Sequence, residues 1–263
     1  MIEHAATPPS LRPELERLLG ADRVSSTREA LDAHAHTDSY PDALPPDVVV
    51  FAESTPDVQA VLRYANERRV PVVPYGVGSG LEGNALARRG GISLDLRRMN
   101  RVKELRPEDF LAVVEPGVTH PELDAALREA GAPVFFPMDP GADATLGGMA
   151  ATNAAGSMGV RYGAMRTNVL GLEVALASGE LIRTGSRAPK SSSGYALTPL
   201  LVGSEGTLGV FCELTLRLHG RPRAVLSATV AFHDIESAVA AAVAIMATGA
   251  PVARVERKQY CGS

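Results

Sequence analysis

Two glycine-rich stretches, with sixty residues of chain between them, restrict this sequence more than anything else in it. The first is Pro74-Tyr75-Gly76-Val77-Gly78-Ser79-Gly80-Leu81-Glu82-Gly83-Asn84. The second is Thr145-Leu146-Gly147-Gly148-Met149-Ala150-Ala151-Thr152-Asn153-Ala154-Ala155-Gly156-Ser157. Glycine has no Cβ, so such loops let backbone N–H groups close on an anion and take positive φ at little cost. Four glycines within residues 76–83 exceed what a plain turn needs. Two such loops imply one long ligand held between two lobes.

Two other glycine-loop chemistries fit less well. Residues 78–83 spell G-x-G-x-x-G, the nicotinamide-dinucleotide fingerprint. That fingerprint needs a helix starting inside the motif, because the pyrophosphate rests on the helix N-terminus. Only residues 84–89 separate it from Gly90-Gly91 and the next apolar run, too few for that helix. No Gly-Lys-Ser/Thr occurs, which excludes a P-loop.

Hydrophobic patterning supplies the frame around the loops. A helix is predicted over residues 11–19. A buried strand at 48–52 leads to a helix that Thr55 and Pro56 cap and that runs to about Arg69. Strands at 70–74 and 92–96 follow, so the spacing predicts a right-handed crossover and a small parallel sheet. In a second lobe, a strand at 111–115 turns at Pro116-Gly117. Thr119 and Glu122 then form a capping box for a helix that stops at Gly131. Thr145 caps a short helix carrying the second glycine set. Residues 169–177 and 181–184 flank Ser178-Gly179-Glu180 as a hairpin, and 208–218 alternate as a half-buried antiparallel strand. From residue 224 the pattern restarts: strand at 224–232, Ala-rich helix at 234–248, strand at 251–255. That βαβ unit is too small to bury its own faces.

Composition excludes several classes. Of 263 residues, 45% are apolar and 21% charged, as in ordinary globular chains. The net charge of -4 gives no nucleic-acid footprint. Two cysteines, Cys212 and Cys261, make no disulfide framework and no cysteine-rich metal site, and a reducing cytoplasmic setting is expected. The N-terminus lacks the regions of a signal peptide, and the most apolar segment, 238–247, is too short to span a bilayer. His34 and His36 have no third ligand in reach and are read as a surface pair rather than a metal site. His120 is placed in a helix's first turn, His219 at a strand end and His233 at a helix start. None lies in a nucleophile motif, so no catalytic base is assigned.

Five motifs in order carry a resemblance. They are residues 74–81, Phe136-Pro137-Met138-Asp139-Pro140-Gly141, residues 145–154, Val160-Arg161-Tyr162-Gly163 and Gly203-Ser204-Glu205-Gly206-Thr207-Leu208-Gly209-Val210. Over roughly residues 40–256 the chain resembles FAD-linked oxidases with a PCMH-type flavin domain, the family of the glycolate oxidase catalytic subunit and of the D-lactate and D-2-hydroxyglutarate dehydrogenases. The fold implied is α+β, a vanillyl-alcohol-oxidase-like FAD-binding fold of two α/β lobes followed by the start of a cap domain. On that basis residues 1–45 are a helical lead-in and 46–220 the FAD-binding domain, with lobes of about 46–106 and 107–220. Residues 221–263 are a truncated cap domain, ending in a patternless tail that suggests a truncation or a frameshift product.

The resemblance also implies the site. Gly76, Gly78, Ser79 and Gly80 form the pyrophosphate loop, with Leu81 on the flavin side. Thr145, Gly147 and Gly148 form a second clamp, their hydroxyl and helix-end amides facing the phosphates. Asp139, Asn153 and Ser157 line the same groove, and Glu205, Gly209 and Val210 hold the adenosine end. Pro116 and Gly117 are a weaker transfer. Met138 departs from the family, which more often has a second proline there. The first loop holds neither His nor Cys, so FAD is expected to be non-covalent. The implied activity is oxidation of a 2-hydroxy acid such as glycolate or D-lactate, with a base from the cap domain. A quinone, an electron-transfer protein or oxygen would accept the electrons. The alternatives are a flavin-binding subunit that needs a partner chain, or a sugar, alcohol or cell-wall-precursor oxidoreductase on the same fold.

Overall fold

The computed structural model describes residues 10–37, 43–139 and 143–256. The expectations attached to residues 1–9, to Pro140 and Gly141, and to the tail from residue 257 onward with Cys261 lie outside the described residues.

The first lobe opens with α1 (Leu11–Leu19), whose Leu11, Leu15 and Leu19 fall on one face and are buried. β1 (Val24–Ser25), α2 (Arg28–Ala33) and the apolar run of β2 (Val48–Phe51) follow. α3 (Thr55–Arg68) is capped one residue earlier than expected, because the Ser54 hydroxyl accepts from the Asp57 amide. Thr55 is already helical, with Pro56 beside it in the first turn, where a missing N–H does no harm. β3 (Val72–Tyr75) and β4 (Ile92–Asp95) complete a sheet of order β1-β2-β4-β3. Its β2, β3 and β4 are parallel, as the crossover spacing predicts, and β1 adds an antiparallel edge. Phe51, Tyr75 and Asp95 stand in register, so the C-terminal ends of three strands make one rim. The first glycine loop leaves from that rim.

In the second lobe, β5 (Val102–Arg106) and β6 (Leu111–Val114) precede α4 (His120–Glu129), β7 (Val134–Phe135) and α5 (Leu146–Ala151). The short α6 (Gly159–Tyr162) and α7 (Met165–Asn168) lead to β8 (Val169–Ala175) and β9 (Leu181–Gly185). α8 (Leu197–Leu201), β10 (Val210–Arg217) and β11 (His219–Gly220) close the lobe. The main sheet is antiparallel throughout, in the order β5-β6-β10-β8-β9, and β11 pairs with β7. Residues 102–106, which the sequence places with the first lobe, hydrogen-bond to β6 and so belong to this second sheet. α3 packs against β8 and β10, and Ala175, Val210 and Cys212 of the second sheet join the first lobe's apolar core.

The βαβ unit expected over residues 224–256 does not form. Its helix is present as α9 (Ile235–Ala247), with the Asp234 carboxylate accepting from the Ser237 amide at 2.7 Å. Residues 224–232 and 251–255 pair with no strand among the described residues. An extended segment without a ladder has nothing to hold it as a strand. α9 itself buries no residue.

Candidate functional site

A cleft of about 450 Å³ opens between the lobes. That lies within the usual range for small-molecule sites. One wall is residues 74–82, the first glycine loop. The facing wall comes from Pro116, Gly117, Thr145, Gly147, Gly148 and residues 151–156, and residues 205–206 and 209–211 close one end. Of the residues singled out from the sequence, only Ser157 does not line the cleft. Its hydroxyl lies 3.5 Å from an Asp139 carboxylate oxygen, and Asp139 does line it.

The two glycine loops do different work. In the first, the amides of Gly76 through Gly80 make no hydrogen bond to the protein among the described residues. Gly78 has φ +73°, and a Cβ on it would stand 2.5 Å from the Tyr75 hydroxyl oxygen. In the second, the amides are already committed. Leu146 N–H donates to the Val118 carbonyl, Gly147 N–H to that of Pro116, and Gly148 N–H to the Thr145 hydroxyl. In this structure these amides close the turn and cap α5, and Gly147 also allows a close approach to Pro116. A Cβ at Gly147 would lie 2.6 Å from Pro116 Cβ, and one at Gly76 would lie 2.5 Å from Thr145 Oγ1 across the cleft.

A third loop, residues 203–210, is tied to the end of α5. Gly203 N–H donates to Ala150 O and Glu205 N–H to Ala151 O. Asn153 and Glu205 both have φ +51°, in the left-handed region where a non-glycine residue is strained by about 1–3 kcal/mol. Asn153 is held there by its side chain, whose Oδ1 accepts from Arg166 N–H at 2.9 Å, while the Arg166 guanidinium donates to Val202 O. Both strained residues line the cleft.

No Lys, Arg or His is among the described residues lining the cleft, whereas Glu82, Asp139 and Glu205 are. Among the described residues, the donors available to an anion here are backbone N–H groups and neutral side chains such as Ser79, Asn84 and Thr145. Behind the first loop lies a buried charged cluster that sequence reasoning missed. His34, read from the sequence as half of a surface pair, is 2% exposed. Its Nε2 lies 3.0 Å from Asp95 Oδ2, and the Arg97 guanidinium grips the same carboxylate at 2.6 Å. Burial pushes the Asp95 carboxyl up, but hydrogen bonds from His34 and Arg97 outweigh it and hold the group below its ordinary range. Burial raises the Tyr75 phenol. His36 remains exposed, as expected. The cluster was hidden because an H-x-H pair in a polar stretch carries no signal of a partner 61 residues away.

The residues present fit a nucleotide diphosphate. Bare amides line one wall, and Gly76 brings that wall so close to Thr145 that a Cβ on it would lie 2.5 Å from Thr145 Oγ1. Asn84, on the cleft, holds a buried Oδ1 with no partner, a polar atom that sequence reasoning also missed. Among the described residues no three His, Cys, Asp or Glu side chains converge to hold a metal, and no helix is long and apolar enough to cross a membrane.

A parallel sheet and an antiparallel sheet meeting over glycine amides define a nucleotide-binding module of two lobes. The family described as FAD binding domain matches residues 46–185, and the chain belongs to it. It is 47% identical over 240 residues to a probable mitochondrial D-lactate dehydrogenase of Danio rerio, covering 90% of this chain and 48% of that protein. It is 48% identical over 211 residues to the mitochondrial D-lactate dehydrogenase (cytochrome) of Arabidopsis thaliana, covering 80% and 37%. Among solved structures, p-cresol methylhydroxylase superposes with a TM-score of 0.69 at 25% identity, covering 82% of this chain and 44% of that one. The chain thus spans half or less of the relatives it matches. The PCMH-type, two-lobed flavin fold and the FAD cofactor implied by the sequence motifs are borne out.

Proposed function

We propose that this chain is the FAD-holding part of an oxidoreductase acting on a 2-hydroxy acid such as D-lactate or glycolate. The run of amides at Gly76–Gly80, which bond to no protein group among the described residues and pack closely against Thr145, carries the reading. These amides bind the pyrophosphate, with Leu81 toward the flavin side. Gly147 lets α5 pack directly on Pro116 in the opposite wall, and Thr145 Oγ1 holds that wall by accepting from Gly148 N–H. Glu205, Gly209 and Val210 enclose the adenosine end, and Asp139 and Asn153 line the groove between, with Ser157 steadying Asp139 from outside it. When bound, FAD supplies a hydride acceptor, and the protein supplies position and electrostatics. No His or Cys lines the cleft among the described residues, which favours non-covalent FAD.

The relatives' names support a D-2-hydroxy acid, and one name supports an electron-transfer protein as acceptor over a quinone or oxygen. A second reading has a specific observation behind it. Among the described residues lining the cleft the side-chain bases are the carboxylates of Glu82, Asp139 and Glu205, and in this reading the residue that takes the substrate's hydroxyl proton comes from elsewhere. A partner subunit or a further domain supplies it. The cytoplasmic setting belongs to the proposal too, against the mitochondrial one in both relatives' names. The test is to add FAD to purified apoprotein, remove the excess and record the visible spectrum. Retained oxidised-flavin bands that denaturation releases into the supernatant support the reading. A folded protein that stays colourless ends it.

A further inference from the structure

We infer that His34 is a positioning residue for the first glycine loop, acting through Tyr75 and Asp95; this rests on the FAD reading above. His34 closes α2 and lies over the rim where Phe51, Tyr75 and Asp95 end their strands in register. Its Nδ1 is 2.8 Å from the Ala30 carbonyl oxygen and its Nε2 is 3.0 Å from Asp95 Oδ2. Through these two contacts the ring ties α2 to the end of β4. Its ring centroid is 4.2 Å from that of Tyr75 and 6.1 Å from that of Phe51. The Tyr75 hydroxyl donates to Ala33 O at 3.1 Å, and the same oxygen sits 2.5 Å from where a Gly78 Cβ would be. The loop, the tyrosine and α2 therefore form one stacked unit, in which His34 acts without lining the cleft.

The charged and titratable neighbours are few. Asp95 faces the ring from β4 and Tyr75 from β3, while Arg97 lies over Tyr75 and holds Asp95. Arg98 covers Phe51, and α2 itself carries Arg28, Glu29 and Asp32, the last of which is paired with the exposed His36. An apolar replacement of His34 leaves Asp95 a donor short, and an under-satisfied buried carboxylate is free to reorganise the rim.

The test titrates FAD into the purified full chain as wild type, His34→Gln, His34→Phe and Tyr75→Phe, reading flavin fluorescence, with a thermal melt of each apoprotein. Glutamine can still donate to Asp95, so its Kd is expected within about threefold of wild type, whereas phenylalanine raises Kd by about tenfold or more. Tyr75→Phe, which keeps the ring, raises it severalfold. A wild-type Kd in His34→Phe overturns the inference. So does an equal loss in the Gln and Phe variants that follows their apoprotein melts, the mark of a general structural defect. If His34→Phe does not fold, an unchanged Kd in Tyr75→Phe overturns it. Wild-type protein that binds no FAD removes the cofactor reading and this one with it.

Discussion

At position 147 an added Cβ would meet Pro116 on three atoms, two of them backbone, with no flexible side-chain end to give way. Gly147→Val is expected to lower stability by about 1–3 kcal/mol and to displace the wall that Pro116 and Thr145 share with it, abolishing FAD retention in a fluorescence titration. Gly159→Ala is the control, because nothing lies within 4 Å of its Cβ position. His219 offers a pH test. Asn168 Nδ2 donates to Tyr162 O and Ala164 O, so Asn168 Oδ1 must accept from His219 Nε2 at 2.9 Å. Burial, then Arg217 and Arg161, hold the His219 imidazolium below its ordinary 6.5. A folded-state value below the unfolded one gives stability that is present above the unfolded value and is lost as pH falls through the folded one. The melting temperature should therefore drop from about pH 7 to about pH 5, and His219→Gln should flatten that slope. An identical slope in the variant contradicts the assignment. The glycines were legible residue by residue because each answers to one steric rule, but the bonds that the Gly147 and Gly148 amides make within the protein were not. Their partners, Pro116 O and Thr145 Oγ1, depend on how the turn closes.

Among the elements, α4 shows what local chemistry decides. Thr119 Oγ1 accepts from Glu122 N–H while the Glu122 carboxylate accepts from Thr119 N–H, the reciprocal cap written in the sequence. Thr119→Ala should lower stability by about 1 kcal/mol in urea unfolding, and Thr119→Ser should restore most of it. α1, α4, the β8–β9 hairpin and the three parallel strands were readable for the same reason: each is fixed by neighbours within a few residues or by an unbroken apolar run. β5 was not, because Lys103, Glu104 and Arg106 dilute its pattern and only the pairing with β6 makes it a strand. Residues 224–232 failed in the opposite direction, carrying a strand-like pattern with no partner to pair with. Strand propensity describes a fit to a half-buried surface, and here that surface is missing.

For the whole molecule, the sheets are joined through α3 and a shared core, while α9 buries none of its residues and the segment after it meets the second lobe through Arg161, which donates to Pro251 O at 2.9 Å. Leu226 is 99% exposed, and Val239 and Val243 are both more than half exposed. Apolar area of that extent promotes self-association. The chain by itself is expected to form larger species as concentration rises, by light scattering. Val239→Glu with Val243→Glu should suppress this without altering the Kd for FAD, and equal scattering from the variant would count against it. A second consequence follows from the walls of the cleft, which among the described residues hold dipoles and three carboxylates but no Lys, Arg or His. Attraction between ions fades as electrolyte accumulates, whereas the grip of peptide dipoles at contact distance hardly notices it. With the protein at -4, the doubly charged nucleotide is repelled until it arrives. Washing in strong brine should therefore leave the yellow colour in place, and the brine should quicken its capture.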